Sequence, residues 1–405
     1  MQDTLFDQAR HEILTKSTWN PDVALNEIYT IVKDVTLASI SDAGWPTHTL
    51  DAQSYATDST KWAMYAGASG VVLGMQILER YGYTANTFSC QLNAIHSAFL
   101  KNPDVTLEAG LQLGELGVLL PAFLANEDDL KTRKRLIECM EMTVNLPLYE
   151  ITSGQTGMMH VALFLFRKTN DGIWKKLYLD GAKSLLDNWV LYSDTNQWLW
   201  ESKVFGPSRH YYGACHGVVG NANILLQGVD LMDTNYTDLI IERTLSTLTL
   251  SAKRNSGMAN WNLCTGPDIE KRLVQWCHGA SGIVTAMSGT PLSDSPSSHD
   301  LDELLMEAGE LVWKAGPLVK GSNICHGTAG NGYAFLYLYR RWGDRLWLDR
   351  ARKFAVHSIE QCQKSRLQFK QGRYSLWTGD VGLAIYLHHC VAPEETALPG
   401  LELFG

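Results

Sequence analysis

Two phrases of this chain, Trp276-Cys-His-Gly-Ala-Ser-Gly282 and Ile324-Cys-His-Gly-Thr-Ala-Gly330, set a thiol and an imidazole directly before a glycine turn. Cys277, Cys325 and His326 read as a zinc-thiolate signature. Two sulfurs and one nitrogen leave one tetrahedral position of Zn²⁺ open, as catalytic sites do, whereas structural sites fill all four. The open position suits a substrate thiol, which a bound zinc would keep as the nucleophilic thiolate. One zinc per chain is therefore expected on those three residues. His216, in Gly213-Ala-Cys-His-Gly-Val-Val-Gly220, occupies the same slot one repeat earlier, and an imidazole titrating near neutrality suits proton delivery beside a thiolate. His278 is either a second acid/base or a hydrogen-bonding wall of the pocket. Cys215 is read as a buried thiol and not as a ligand.

Adjacent residues on a helix diverge by about 100°, so Cys325 and His326 can face one ion only from a turn or a helix entry. Gly327 supplies that turn. The pattern Gly-x-x-Gly followed by an apolar stretch begins at Gly67, Gly114, Gly154, Gly217, Gly279, Gly327 and Gly379, which makes the whole chain an array of like units. The stretches that follow, such as Met158-Met-His-Val-Ala-Leu-Phe-Leu-Phe166, are apolar on nearly all sides and read as helices buried all round. Between them lie segments with one apolar stripe and one charged face, such as Leu346-Trp-Leu-Asp-Arg-Ala-Arg-Lys-Phe-Ala-Val-His-Ser-Ile-Glu360, which read as outer helices. Seven such pairs predict an all-α fold, an (α/α)7 toroid of seven inner and seven outer helices, with every glycine turn at one mouth. The expected division is an N-terminal helical arm over residues 1–60 and the toroid over 61–405.

At 45% hydrophobic and 19% charged residues, the 405-residue chain has ample material for a core and is not disordered. Its formal charge of −9, with no basic run longer than Lys131-Thr-Arg-Lys-Arg135, offers no footprint for a phosphate backbone. Nucleic acid is excluded as an expected partner. The acidic N-terminal decapeptide lacks a signal-peptide core, and no apolar run reaches the length of a membrane span, so the expected location is the cytoplasm. The eight cysteines then read mostly as buried thiols, without disulfides. Aromatic-rich segments at 193–209 and 257–267 have the length of lids or binding surfaces. Residues 289–300 have the Ser/Pro/Asp composition of a loop tip and are assigned no function.

The phrases Tyr212-Gly-Ala-Cys-His-Gly217, Gln275-Trp-Cys-His-Gly-Ala-Ser-Gly282, Ile324-Cys-His-Gly-Thr-Ala-Gly-Asn-Gly-Tyr-Ala-Phe335 and Ser375-Leu-Trp-Thr-Gly-Asp-Val-Gly382 resemble the lanthionine synthetase C-like family from about Tyr65 onward. The resemblance implies the α/α toroid, zinc on Cys277, Cys325 and His326, and an acid/base histidine at His216. One branch of that family closes thioether rings in precursor peptides. The eukaryotic-type branch binds glutathione and adds it to dehydroamino acids in proteins. Trp276-Cys-His278 and a lysine at 320, five residues before Cys325, resemble the second branch, which implies glutathione as substrate with contacts from Lys320 and from Arg366. Glu115 and Thr378 depart from the family's usual residues, and the arm before Tyr65 is not recognisable. The expected activity is zinc-dependent addition of a thiol, glutathione first, to dehydroalanine or dehydrobutyrine in peptides or proteins. The alternatives are a lanthipeptide cyclase and a non-catalytic protein that binds glutathione or a partner.

Overall fold

The computed structural model describes residues 5–40, 44–52, 61–104, 109–204, 206–232, 236–266, 271–291 and 296–402. In chain order the elements begin with α1 (Pro21–Ala38), the single turn α2 (Thr49–Ala52), α3 (Ala68–Arg80), α4 (Leu92–Lys101), α5 (Glu115–Ala125), α6 (Leu130–Val144), α7 (Gln155–Thr169) and α8 (Gly172–Asp187). A hairpin of β1 (Val190–Tyr192) and β2 (Gln197–Leu199) follows, then α9 (Val218–Gln227), α10 (Thr237–Ser251) and a second hairpin of β3 (Lys253–Asn255) and β4 (Met258–Asn260). The chain continues through α11 (Ala280–Met287), α12 (Pro296–Ala315), α13 (Thr328–Trp342), α14 (Arg345–Phe369) and α15 (Asp380–Val391).

The odd-numbered helices from α3 to α15 each start at the first glycine of a Gly-x-x-Gly motif and form the inner ring, with α15 packing back on α3 to close it. Outside them lie α4, α6, α8, α10, α12 and α14. The seventh outer place belongs to α1, which packs against α15 and α14. Its start is well specified: Asn20 caps the helix through its side chain to Asp22 N at 2.8 Å, and Pro21 takes the first turn, where no N–H is needed. Ala24, Ile28, Ile31 and Val35 form the stripe that buries it. The result is the (α/α)7 toroid that the repeats predict.

The glycine turns are stitched to one another. Tyr65 N donates to Gln112 O (3.0 Å), Gln112 N to Thr152 O (2.8 Å), and Ile151 N to Cys215 O (2.9 Å). Cys215 N then donates to Cys277 O (3.4 Å), Cys277 N to Cys325 O (3.2 Å), Cys325 N to Trp377 O (3.0 Å), and Trp377 N back to Tyr65 O (3.2 Å). This circuit runs once around the mouth. The motif glycines serve it by allowing close approach: a Cβ on Gly330 would stand 1.8 Å from the Ile324 carbonyl oxygen. Gly279 alone among the seven helix-capping glycines also needs positive φ, at 102°.

The aromatic segments expected as lids are the two hairpins and their flanks, and their indoles are used for packing. Trp200 donates to Leu185 O at 2.8 Å, Trp261 donates to Leu248 O at 2.9 Å, and the Arg243 guanidinium lies 3.7 Å from the Trp198 ring centroid. Pro267 and residues 292–295 lie outside the described residues, and α12 already begins at Pro296. All eight cysteines are free thiols. Among the described residues, no helix is long and apolar enough to cross a membrane.

At the ring's other end the inner-helix C-termini, including Arg80, Arg167, Gln227 and Tyr337, line a cavity of about 1240 Å³. The segment after α15 turns into the lumen from that side. Leu398 and Leu401 are buried in it, and Gly400 lies against Met64 and Trp377. The Tyr337 hydroxyl donates to Glu402 at 2.6 Å, and the Leu398 N–H donates to the Tyr337 oxygen at 3.2 Å.

Glu115, the unusual residue of the second repeat, ties inner helix to outer. It accepts Arg135 Nε at 2.9 Å and Nη2 at 2.6 Å, while His96 Nε2 lies 2.9 Å from its Oε1. Burial alone raises this carboxyl, but the hydrogen bonds from His96 and Arg135 prevail and hold it at about 2. A carboxyl depressed by folding adds stability above its unfolded pKa of ~4.3 and loses it as pH falls through the folded value. With Arg135 39% exposed, solvent screens part of the pair. Glu115→Gln is expected to cost about 2 kcal/mol near neutral pH in urea denaturation followed by circular dichroism. The gap to wild type should narrow as pH drops from ~5 toward 2.

Candidate functional site

The Cys-His-Gly phrases are the turns between one outer helix and the next inner one, so the hydrogen-bonded circuit brings their side chains to one mouth. Cys277 and Cys325 meet there: the Cys325 thiol hydrogen-bonds to the Cys277 sulfur, and both are buried. Each sulfur also accepts one further donor. Gln275 Nε2 donates to Cys277 Sγ at 2.9 Å, and the Tyr65 hydroxyl donates to Cys325 Sγ at 3.0 Å. The hydrogen bond from Cys325 holds the Cys277 thiol below its ordinary range, against the effect of burial and with help from Gln275, His216 and Lys320. The same contact pushes Cys325 well up, and burial adds to it. Cys215 sits beside them in the circuit, but burial and then the Cys277 charge push its thiol well up, which keeps it protonated.

His326 follows Cys325 at the turn, its N–H bound to Asn323 Oδ1 at 3.0 Å. Desolvation, followed by the charges of Lys320, Arg373 and Arg10, brings its imidazole down to about 3, so it is neutral and able to offer a lone pair. Two sulfurs that already accept hydrogen bonds, with a neutral imidazole next in sequence, suit Zn²⁺ as a donor set. Among the described residues, however, no three His, Cys, Asp or Glu side chains stand together in metal-ligating geometry. The two thiols converge, and the His326 ring does not join them as a third ligand in this conformation.

His216 lies in the neighbouring turn with its Nδ1 2.9 Å from Glu150 Oε2. Glu150 is fully buried, and it also accepts Thr152 N (2.8 Å), Thr152 Oγ1 (2.5 Å) and Ser153 N (2.5 Å). Burial opposes ionisation of this carboxyl, but the His216 contact and these donors together hold it below its usual range. An ionised Glu150 orients the His216 ring and fixes a proton on Nδ1, leaving Nε2 to work. The His278 ring stands 5.4 Å from that of His216, with Tyr211 within 6.0 Å of both. Burial, then the positive charges of His216 and Lys271, hold His278 well below its ordinary range, so its imidazole is neutral.

The two expected glutathione contacts fare differently. Lys320 is exposed, and its charge is felt at both Cys277 and His326, so it remains part of the mouth. Arg366 is half-buried among the carboxylates of Glu27 and Asp34 on α1 and Asp380 on α15, at 3.9, 3.4 and 3.1 Å. It clamps the seventh outer helix to the ring. Several residues of the mouth were not anticipated: Glu150, Tyr65, Gln275 and the segment around Arg10. That segment pairs with 316–319 through Glu12 N to Pro317 O (2.8 Å) and Val319 N to Arg10 O (3.1 Å), and Arg10 donates to Gln275 Oε1 at 3.4 Å. Tyr65 carried one signal, since it stands two residues before its motif glycine, the slot of Cys277 and Cys325 in their own repeats.

The family model described as lanthionine synthetase C-like protein matches residues 47–403. The chain belongs to the lanthionine synthetase C-like family. A LanC-like protein GCL1 of Arabidopsis thaliana is 31% identical over 261 residues, 63% of this chain and 58% of the relative. A protein of Danio rerio named glutathione S-transferase LANCL1 is 26% identical over 257 residues, 63% of this chain and 62% of the relative. Both are eukaryotic family members, in keeping with the branch that Trp276-Cys-His278 resembles. The matched stretch spans about three fifths of each curated relative's length. Nisin cyclase has the same fold, with a TM-score of 0.59 at 16% identity over 91% of this chain and 94% of that one.

The asymmetry of the thiol pair is measurable. In metal-free protein at about pH 7.5, iodoacetamide is expected to modify Cys277 before Cys325, because the lower thiol pKa gives the larger thiolate fraction. Peptide mass spectrometry over a time course checks the order, and equal rates would mean that the Cys325-to-Cys277 hydrogen bond does not form in solution.

Proposed function

We propose that this lanthionine synthetase C-like protein adds a thiol, glutathione in the first place, to dehydroalanine or dehydrobutyrine residues of peptides or proteins in a zinc-dependent reaction. The observation that carries the reading is the pair of buried thiols at the mouth, each accepting a side-chain hydrogen bond, with the His216–Glu150 pair in the neighbouring turn. The names of the Danio rerio relative and of nisin cyclase, a transferase acting with glutathione and a cyclase, agree with thiol chemistry at such a mouth.

Cys277, Cys325 and His326 would hold the zinc, whose contribution is to keep the incoming thiol ionised at neutral pH. The thiolate adds to the β-carbon of the alkene, and the π electrons move onto the α-carbon and its carbonyl. His216 then delivers a proton to the α-carbon, while Glu150 keeps its ring oriented and stabilises the imidazolium before transfer. Neutral His278 offers a hydrogen bond to the carbonyl oxygen. Lys320 supplies a cation for a carboxylate of the tripeptide.

Mass spectrometry of dehydroalanine peptides incubated with glutathione, zinc and the protein tests the reading, with an adduct of peptide plus glutathione expected. Loss-free ring closure within a Cys-containing peptide, without glutathione addition, would mean a cyclase instead. Elemental analysis is expected to give one zinc per chain, and Cys325→Ala should abolish it. His216→Asn should keep zinc and fold but slow adduct formation by about 10²–10⁴-fold. Lys320→Ala should weaken reaction with glutathione more than reaction with the neutral 2-mercaptoethanol, and equal losses would assign Lys320 a structural role.

A further inference from the structure

The cavity at the ring's far end is walled off from the mouth by the segment that carries Leu398 and Leu401, and no step of the thioether chemistry uses it. A space of about 1240 Å³ is ample for a small organic molecule. Size alone names no ligand. The polar groups of the wall do, because a buried donor or acceptor is almost always paired.

Four wall residues, from α3, α7, α13 and the turn after α11, carry buried atoms with no hydrogen-bond partner among the described residues. These atoms are Oε1 of Gln76, both ring nitrogens of His160, Nη2 of Arg341 and Oγ1 of Thr290. His160 is the one polar side chain in the apolar run from Met158 to Phe166. Only 3% exposed, it borders both the cavity and the narrow recess beside Leu398 and Leu401. Burial brings its imidazole down to about 4, against a smaller opposing effect of the Leu401 backbone, so the ring is neutral and offers one N–H and one lone pair. The other three residues are held in place through their remaining atoms. Gln76 Nε2 donates to Pro121 O at 3.1 Å, and Arg341 Nη1 donates to Thr290 O at 2.7 Å and to Ser288 O at 3.0 Å.

The charges of the wall are already matched. Arg167 pairs with Asp230, Lys168 with Glu127, Arg340 with Glu402 and Arg341 with Asp302, and Arg80 follows Glu79 at the exposed rim. The inner helices also end here, and their carbonyl ends disfavour an anion. An apolar guest would fare no better, since it would seal the unpaired atoms away from water. A hydroxyl group both donates and accepts without charge. It therefore matches a neutral imidazole, an amide oxygen, a threonine hydroxyl and a guanidinium N–H alike. Leu163 and Phe164, also in the wall, suit the C–H faces of a saturated ring.

We propose that this cavity binds a small neutral polyol of the sugar or cyclitol class through hydrogen bonds to His160, Gln76, Thr290 and Arg341. The site is independent of the chemistry assigned to the mouth, and its test needs no turnover.

The experiment is saturation-transfer NMR on the full-length protein, with myo-inositol, maltose and trehalose as millimolar probes. Specific saturable transfer to at least one of the three is expected. Cyclohexanol and inositol hexakisphosphate keep the ring of myo-inositol but exchange its neutral hydroxyls for hydrogen or for charge, and neither should displace the bound polyol. His160→Phe keeps a flat ring of similar size without the nitrogens, and it should raise the Kd at least about tenfold with the circular dichroism spectrum unchanged. Thr290→Val removes one hydroxyl at nearly constant shape and should raise the Kd about threefold; it decides the matter if His160→Phe does not fold. Binding of none of the three polyols would overturn the proposal. Tighter binding of cyclohexanol or of inositol hexakisphosphate would do the same, since the cavity would then be reading apolar surface or charge. Unchanged affinity in folded His160→Phe, or in Thr290→Val where that variant decides, would put the polyol elsewhere on the protein and equally overturn it.

Discussion

The circuit of backbone hydrogen bonds around the mouth is the constraint on which the rest depends. Each turn donates to the next and the last returns to the first, so no turn can shift without leaving buried N–H and C=O groups unpaired, at about 1–3 kcal/mol each. Side chains of seven different repeats are thereby fixed relative to one another, although none of the connecting helices is shared. Pre-organisation of this kind is what the proposed two-sulfur centre and separate acid/base histidine would require. The glycines are the condition for it, since a single methyl group at Gly330 would collide with the carbonyl of Ile324.

The same arrangement shapes the electrostatics. All seven inner helices start at the circuit, so their positive ends converge on the two sulfurs and on the Lys320 and Arg10 charges beside them. A chain with a formal charge of −9 thus carries a mouth suited to anions. Anionic groups at the mouth gain from that field.

The period of the Gly-x-x-Gly motifs and the all-round apolar helices made the toroid legible in the sequence, because a repeat can bury its face only against its neighbours. The Cys-His-Gly slots exposed Cys277, Cys325 and His216 for the same reason: residues at one position of a repeat meet at one place in a ring. Glu150 was hidden, since it stands outside the two slots before the glycine and reaches His216 only because the third and fourth turns are adjacent. Gln275 and Arg10 were hidden because their roles arise from contacts across the mouth that no periodicity encodes. Arg366, assigned to glutathione by the resemblance, has structural partners that its local sequence does not announce, namely three carboxylates, two of them on α1, that claim its guanidinium.

The segment carrying Leu398, Gly400 and Leu401 fills the lumen between the circuit and the wide cavity at the opposite end. Among the described residues, the ring is consequently a cul-de-sac and not a tunnel. Whatever enters the mouth must leave by the same door, in the reverse order of its arrival. A long chain cannot be threaded and processed along its length as through the eye of a needle; it must dip one residue or one bend at a time into the mouth and withdraw. Under the proposed function, bulk on either side of the reacting residue would stay outside, which would free such a site from reading the size of the molecule to which that residue belongs.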